Sequence, residues 1–137
     1  AGWAFSQSFF REKGYKNLGF QSVEELLVDW ENDHANNWDA NNLLTKLLTW
    51  QKGDISVGEN YKGNFLNALK SIKAKTIIIP CSHDLYFPPE DNVFEARYIK
   101  NSELRTYESI WGHCVANPGN DKGFEKVLDK AVSDLLG

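Results

Sequence analysis

In the first part of the chain, apolar side chains recur every three to four residues, the spacing of one helical face. Ser22 and Glu25 form an S-x-x-E capping box, which predicts that a helix begins there. Asp39 is a suitable N-cap for a second helix, which Gly53 ends. Their apolar positions are Val23, Leu26, Leu27 and Trp30, then Ala40, Leu43, Leu44, Leu47 and Leu48. The pattern predicts that residues 1–62 form a helical unit that ends in a glycine-rich connection, "GDISVGENYKG".

From residue 63 onward the pattern changes to helix, strand, helix, strand, helix. The β-branched run "TIIIP" (76–80) is typical of a strand buried on both faces of a parallel sheet. A helix over about 90–98 leads to a more polar second strand, "ELRTYES" (103–109). The closing helix carries an apolar stripe that includes Phe124, Val127, Leu128, Ala131, Val132 and Leu135. This order predicts an α/β fold with a βαβ unit, a right-handed crossover and parallel strands.

Two strands cannot form a stable parallel sheet alone, because both faces and both edges need cover. The chain also opens at Ala1 inside a segment that resembles a helix interior, and it has no methionine. We therefore expect the 137 residues to be the later part of a longer protein. In that interpretation residues 63–137 complete a sheet whose first strands lie in a missing N-terminal part.

Composition and charge exclude some classes of function. The net charge of -4 argues against nucleic-acid binding. No apolar run approaches the roughly 20 residues that a membrane-spanning helix needs. The two cysteines, Cys81 and Cys114, match no metal spacing and no disulfide framework, which favours a reducing compartment and predicts a cytoplasmic protein.

Each predicted strand is followed by a residue that could take part in catalysis. Asp84 lies four residues after Pro80, and His113 lies four residues after Ser109. Parallel neighbouring strands bring such residues to the same edge of a sheet, where α/β proteins place their working groups. A carboxylate bound to one imidazole nitrogen fixes the tautomer and leaves the other nitrogen free to accept a proton. Taken singly, each residue is more typical of an ordinary loop than of a catalytic site. Their matching positions after consecutive strands strengthen the interpretation as a catalytic pair.

Other chemistry is less well supported by the spacing. The chain contains no G-x-S-x-G motif for a nucleophilic serine. Cys114 is adjacent to His113, and adjacent side chains rarely face each other, which argues against a cysteine nucleophile. The acidic and histidine residues near position 84 follow no metal-ligand spacing, so we predict no metal site; they are His83, Asp84, Glu90 and Asp91.

Four motifs in order resemble the homoserine O-acetyltransferase family. "WDANNLLTKLLTWQKGDIS" (38–56) is similar to the family's lid helix, and "SQSFFRE" (6–12) is similar to the segment that opens the lid. "DLYFPPED" (84–91) resembles the loop of the catalytic aspartate, and "SIWGH" (109–113) the loop of the catalytic histidine. The resemblance implies an α/β-hydrolase fold, with residues 1–62 as a helical lid and residues 63–137 as the C-terminal part of the core.

The family resemblance also implies an activity and roles for residues. Members transfer an acetyl group from acetyl-CoA to an alcohol through a serine that is acylated first, with no bound cofactor. Asp84 would orient His113, and His113 would deprotonate the serine, which would lie outside this chain. Arg11 stands in the place of the family's substrate-binding arginine. Lid helices of the family commonly form a homodimer, so a dimer is expected here too.

Two departures from the family pattern affect the predicted acceptor. Cys114 replaces an aspartate that holds the amino group of homoserine, and Phe10 replaces a tyrosine. A neutral thiol cannot pair with an ammonium group, which argues against homoserine. Hydrolysis of esters by the same triad is therefore the main alternative to acyl transfer. A helical dimerisation module without catalysis is the third hypothesis, since the nucleophile is absent from the sequence.

Overall fold

The computed structural model describes all residues 1–137 and contains six α-helices and two β-strands. In chain order these are α1 (Gln7–Arg11), α2 (Val23–Asn37), α3 (Ala40–Lys52), α4 (Phe65–Lys70), β1 (Thr76–Ile78), α5 (Pro89–Ala96), β2 (Ser102–Leu104) and α6 (Lys122–Leu136). Two 3₁₀ helices, Gly14–Leu18 and Gly112–Ala116, lie between them. None of the six α-helices combines the length and the apolar character that a bilayer crossing requires.

The predicted helix starts in the first half are confirmed. Ser22 accepts a hydrogen bond from the backbone N–H of Glu25 at 3.2 Å, and the Glu25 carboxylate accepts one from the N–H of Gln21 at 2.6 Å. Asp39 accepts a bond from the N–H of Asn42 at 2.9 Å at the start of α3. Residues 53–64 are irregular, as expected for the glycine-rich connection after the second helix.

The predicted βαβ unit is confirmed, and its strands are parallel. Thr76 pairs with Ser102 and Ile78 with Leu104, so β1 and β2 form a two-stranded sheet. Both strands are shorter than predicted, with three residues each. Beyond them the two segments stay in contact through a single bridge between Cys81 and Tyr107.

The expectation that β1 is buried on both faces is wrong for this chain. Thr76, Ile77 and Ile78 are all half-buried, because only β2 and the nearby helices cover the strand. The apolar stripe of α6 is only partly covered as well: Phe124 and Ala131 are buried, whereas Leu128 and Val132 are exposed. No residue of α3 is buried, so the apolar face of this helix is turned to solvent or to a groove.

The buried core joins the N-terminal segment to the segment that carries His113. Phe5 and Phe9 stack at 4.3 Å between ring centroids, and Trp111 lies 5.1 Å from Phe9. The other buried members of this cluster are Ala4, Tyr15, Leu26, Cys81, Cys114, Val115 and Phe124. The first nine residues therefore pack beneath the loop that follows β2.

Substitution of Phe9 by alanine is expected to destabilise the protein severely. The ring is fully buried, and deletion of such a ring costs about 3–5 kcal/mol through lost burial and a residual cavity. Phe65, with 40% of its surface exposed, provides the same substitution as a control and is expected to cost about 1 kcal/mol or less. Urea unfolding measures both changes in the free energy of unfolding. Equal losses at the two positions would contradict the assignment of the core.

Candidate active site

The two residues that the sequence predicted as a catalytic pair are in contact. His113 Nδ1 lies 3.1 Å from Asp84 Oδ2. An ionised carboxylate can only accept a hydrogen bond, so Nδ1 carries the proton and donates it. The second ring nitrogen, Nε2, then holds a free lone pair, which is the state required of a general base.

The Asp84 carboxylate is held by its own loop. Its Oδ1 accepts hydrogen bonds from the backbone N–H groups of Tyr86 at 2.8 Å and Phe87 at 3.0 Å. This Asx-type turn fixes the side chain and leaves Oδ2 for the histidine. The Asp84 side chain is 10% exposed and the His113 side chain 40% exposed, so the imidazole is the accessible member of the pair.

A glycine in the left-handed conformation precedes His113 and directs the loop that carries it. Gly112 has a φ of 60°, in the left-handed region that other residues rarely adopt. A Cβ at this position would lie 2.9 Å from the backbone nitrogen of Ser6 and 3.1 Å from the carbonyl oxygen of Ala4. Only glycine therefore allows the N-terminal segment to pass so close to the histidine loop.

Two further hydrogen bonds fasten the same contact. Ser6 Oγ donates to the carbonyl oxygen of Ile110 at 2.5 Å, and the N–H of Cys114 donates to the carbonyl oxygen of Ala4 at 3.2 Å. The Ser6 hydroxyl also caps α1. The start of the chain and the histidine loop are thus one packed unit, which the sequence did not predict.

Aromatic side chains surround the imidazole on the outer side. The ring centroid of Tyr86 lies 4.8 Å from that of His113, and Phe87 lies 5.2 Å away. Trp50, from α3, lies 5.7 Å from Phe87. These rings limit the movement of the histidine and connect it to the helices of the first half.

His113 opens onto an apolar groove of about 570 Å³ between α3 and the Asp84 loop. Lys46 is the one lysine, arginine or acidic side chain that lines the groove. The remaining lining residues are Trp38, Leu43, Leu47, Trp50, Tyr86 and Phe87. A second cavity, of about 330 Å³, lies at the strand ends and is lined by both His113 and Asp84. The imidazole therefore stands between an apolar groove and the edge of the sheet.

Arg11 does not join the histidine. It lines a separate polar cleft of about 590 Å³, together with Ser6, Gln7, Asp84 and Glu90. Asp84 lines both this cleft and the cavity at the strand ends. Of the two members of the pair, Arg11 therefore shares a cleft with Asp84 and not with His113. A role for Arg11 in substrate binding stays a prediction.

The neighbouring cysteine is packed rather than reactive. Cys114 is 4% exposed, and burial raises the pKa of its thiol to about 11. Burial likewise raises the pKa of Cys81. No three histidine, cysteine, aspartate or glutamate side chains converge as a metal site.

The structure contains polar residues at the site that the sequence analysis missed. Ser82 Oγ accepts a hydrogen bond from the N–H of Ser109 at 3.3 Å and thereby joins the two loops. Asp121, the N-cap of α6, accepts bonds from Ser109 Oγ at 2.9 Å and from the Tyr107 hydroxyl at 2.8 Å. The only signal in the sequence is that Asp121 precedes a long amphipathic helix, which predicts a cap and nothing more.

The chain is similar in sequence and in fold to known esterases. No family model matches the chain. It is 38% identical over 135 residues to an ethyl acetate hydrolase of Pseudomonas veronii, covering 98% of this chain and 37% of the relative. The crystal structure of an acetylester hydrolase from Corynebacterium glutamicum matches with a TM-score of 0.88 at 33% identity, covering 97% of this chain and 37% of that one.

The predicted family is matched more weakly. A homoserine O-acetyltransferase of Trichormus variabilis is 28% identical over 76 residues, which is 56% of this chain and 20% of the relative. The superfamily expected from the motifs is thus supported, whereas the assignment to acetyltransferases in particular is not. The chain spans less than two fifths of the length of the esterases it matches.

We expect the Cys114 thiol to resist alkylation in the folded protein. Because its pKa is raised to about 11, about one thiol in a thousand is ionised at pH 8, and the thiolate is the reactive form. Labelling by iodoacetamide at pH 8, read by mass spectrometry, should be slow, and should become fast in urea or as the pH approaches 11. Rapid labelling of native Cys114 at pH 8 would contradict the buried position.

Proposed function

This chain has the fold of the C-terminal part of an α/β-hydrolase, and from that premise we propose that it supplies the acid and base members of an ester-hydrolysing Ser-His-Asp triad. The observation that carries the proposal is the hydrogen bond from His113 Nδ1 to Asp84 Oδ2. In this proposal the serine lies outside the 137 residues, since the sequence holds no nucleophile elbow and the matched esterases are much longer.

The proposed reaction uses the free nitrogen of His113. Nε2 accepts the proton of the serine hydroxyl while the serine oxygen attacks the acyl carbon of the ester. The same proton then passes to the departing alcohol, which leaves an acyl-enzyme. Water, deprotonated by Nε2, releases the acid and restores the serine. Asp84 stays ionised throughout, keeps the ring in one tautomer and stabilises the imidazolium.

The groove supports small apolar esters as substrates. Six of its eight lining residues are hydrophobic, and the imidazole lies at its wall. Such a surface favours alkyl groups and offers few partners for polar substituents. We propose a short acyl ester of a simple alcohol, in keeping with the acetyl esters named for the relatives.

Acyl transfer remains the second candidate, favoured by the weaker matches to acyltransferases. Acetyl-CoA as the donor and a separate acceptor alcohol stay predictions. Two observations weigh toward water as the acceptor: Arg11 lies away from the imidazole, and Cys114 is buried behind it. A polar acceptor would find few charged partners in the groove.

We also propose that the helices of the first half contact a second copy of the chain. Large apolar side chains are exposed outside the groove both on these helices (Val28, Leu44 and Leu48) and in the irregular connection after α3 (Ile55 and Val57). Exposed apolar area of this kind is typical of contact surfaces. The predicted cytoplasmic location also stays a prediction.

Removal of either member of the pair should abolish ester hydrolysis in the complete protein that carries these residues. His113→Ala removes the base, and Asp84→Asn leaves the ring without its acceptor; each is expected to lower kcat about 10³-fold or more. The assay is release of 4-nitrophenol from 4-nitrophenyl acetate, run with and without an added alcohol to detect transfer.

Asp129→Asn is a matched control, because Asp129 is exposed on α6 and its side chain makes no hydrogen bond or ion pair. Its activity should stay within about twofold of the wild type. Near-normal kcat in His113→Ala would overturn the assignment of the base.

A further inference from the structure

We infer that Ser109 and Asp121 are positioning residues that set the distance between Asp84 and His113. The inference deepens the proposed function and rests on it. Neither residue touches the reacting atoms. Both act through the two loops that carry the pair.

Few polar contacts hold the imidazole of the pair in place. The His113 ring makes one hydrogen bond within the chain, to Asp84, and its side chain is 40% exposed. The ring also has aromatic contacts with Tyr86 and Phe87, which belong to the Asp84 loop. The 3.1 Å separation therefore depends on how the two loops are held against each other.

Beyond the strands, backbone hydrogen bonds join the segment that leads to Asp84 and the segment that leads to His113 only as far as Ser82 and Tyr107. The N–H of Tyr107 donates to the carbonyl oxygen of Pro80 at 2.8 Å, and the N–H of Ser82 donates to the carbonyl oxygen of Tyr107 at 2.9 Å. The next contact is made by a side chain, from the N–H of Ser109 to Ser82 Oγ at 3.3 Å. Ser82 is two residues before Asp84, so this is the last hydrogen bond that joins the two segments before the Asp84–His113 pair.

Ser109 is fixed at each of its polar groups. Its carbonyl oxygen accepts a bond from Cys81 Sγ at 3.3 Å, and its Oγ accepts one from the N–H of Trp111 at 3.3 Å. The same hydroxyl donates to Asp121 Oδ2 at 2.9 Å. The residue thus joins three parts of the chain: the end of the first strand segment, the histidine loop and the start of α6.

Asp121 does more than cap a helix. Its Oδ1 accepts bonds from the N–H groups of Gly123 at 2.9 Å and Phe124 at 3.1 Å, which is the capping function. Two hydroxyls of the segment before the histidine loop, from Tyr107 and Ser109, also donate to the carboxylate. Burial raises the pKa of Asp121, but the hydrogen bonds outweigh that effect and lower it, so the group is an ionised acceptor at neutral pH.

These contacts form one rigid path from α6 to the catalytic loops. With Ser109 held by Asp121, the N–H of Ser109 stays directed at Ser82. Loss of either group removes the side-chain support at the start of the histidine loop, while the pair itself and the bonds to the N-terminal segment remain. A displacement of about 1 Å in such a site lowers turnover by up to about 100-fold.

The test uses Ser109→Ala and Asp121→Asn in the complete protein with 4-nitrophenyl acetate. Asparagine still caps a helix, so Asp121→Asn keeps the cap and replaces the charged acceptor of Ser109 Oγ with a neutral amide NH₂. Each variant should lower kcat between about 10-fold and 100-fold while KM changes by less than about twofold. The double variant should be no slower than the slower single variant, because both changes break the same bond.

Three controls separate positioning from general damage. Ser109→Thr keeps the hydroxyl and should restore kcat to within about threefold, and Asp129→Asn repeats the charge change on the same helix without effect. In an Asp84→Asn background, Ser109→Ala should cost less than about twofold more. Normal kcat in Ser109→Ala, a rise in KM alone, or a full additional loss in the Asp84→Asn background would overturn the inference.

A second readout keeps this inference separate from the proposed function. The ring N–H of His113 is observed by ¹⁵N-edited NMR and needs no substrate. It should be protected in the wild type and should exchange faster in Ser109→Ala. If the wild type hydrolyses no ester, the proposed function fails; if the N–H signal is the same in both proteins, the positioning role fails.

Discussion

The hydrogen bond from His113 to the Asp84 carboxylate defines the candidate site, and the neighbouring loops are arranged so that it can form. The bond can form only because the loops that carry these two residues, 29 positions apart in sequence, end beside each other. The parallel pairing of β1 and β2 provides that neighbourhood, since both chains leave the sheet at the same edge. A turn then closes on Asp84, and Gly112 turns His113 toward it.

The surroundings of the pair divide into a rigid side and an open side. On the rigid side, the N-terminal segment packs beneath the histidine loop, with Phe9 fully buried and Ser6 bonded to Ile110. On the open side, the imidazole faces an apolar groove whose far wall is α3. Nothing in α3 is buried, so the groove is a surface that a substrate or a further part of the protein can cover.

Much of this arrangement follows from local chemistry that the sequence displays. The caps at Ser22 and Asp39, the βαβ order and the meeting of Asp84 with His113 all rest on short-range patterns. Strand length and strand burial cannot be read from short-range patterns, because they depend on which residues cover the sheet. β1 therefore ends after three residues and stays half-buried despite its apolar run.

The parts that could not be predicted are contacts between distant segments. Ser6 meets Ile110 across 104 positions, and Ser109 reaches Asp121 through a side chain that could serve equally well in any turn. Arg11 is a different case: its motif resembles a substrate-binding position, and the fold shows that it lines a cleft shared with Asp84 and not with the imidazole. Single polar residues reveal such roles only when the fold shows what they face.

The most direct measurement of the central claim is a crystal structure of the complete protein after reaction with a serine-directed phosphonate. We predict one phosphonylated serine whose Oγ lies within about 3 Å of His113 Nε2, with Nδ1 still bonded to Asp84. A label on a serine remote from His113, or a protein that the phosphonate does not modify, would contradict it.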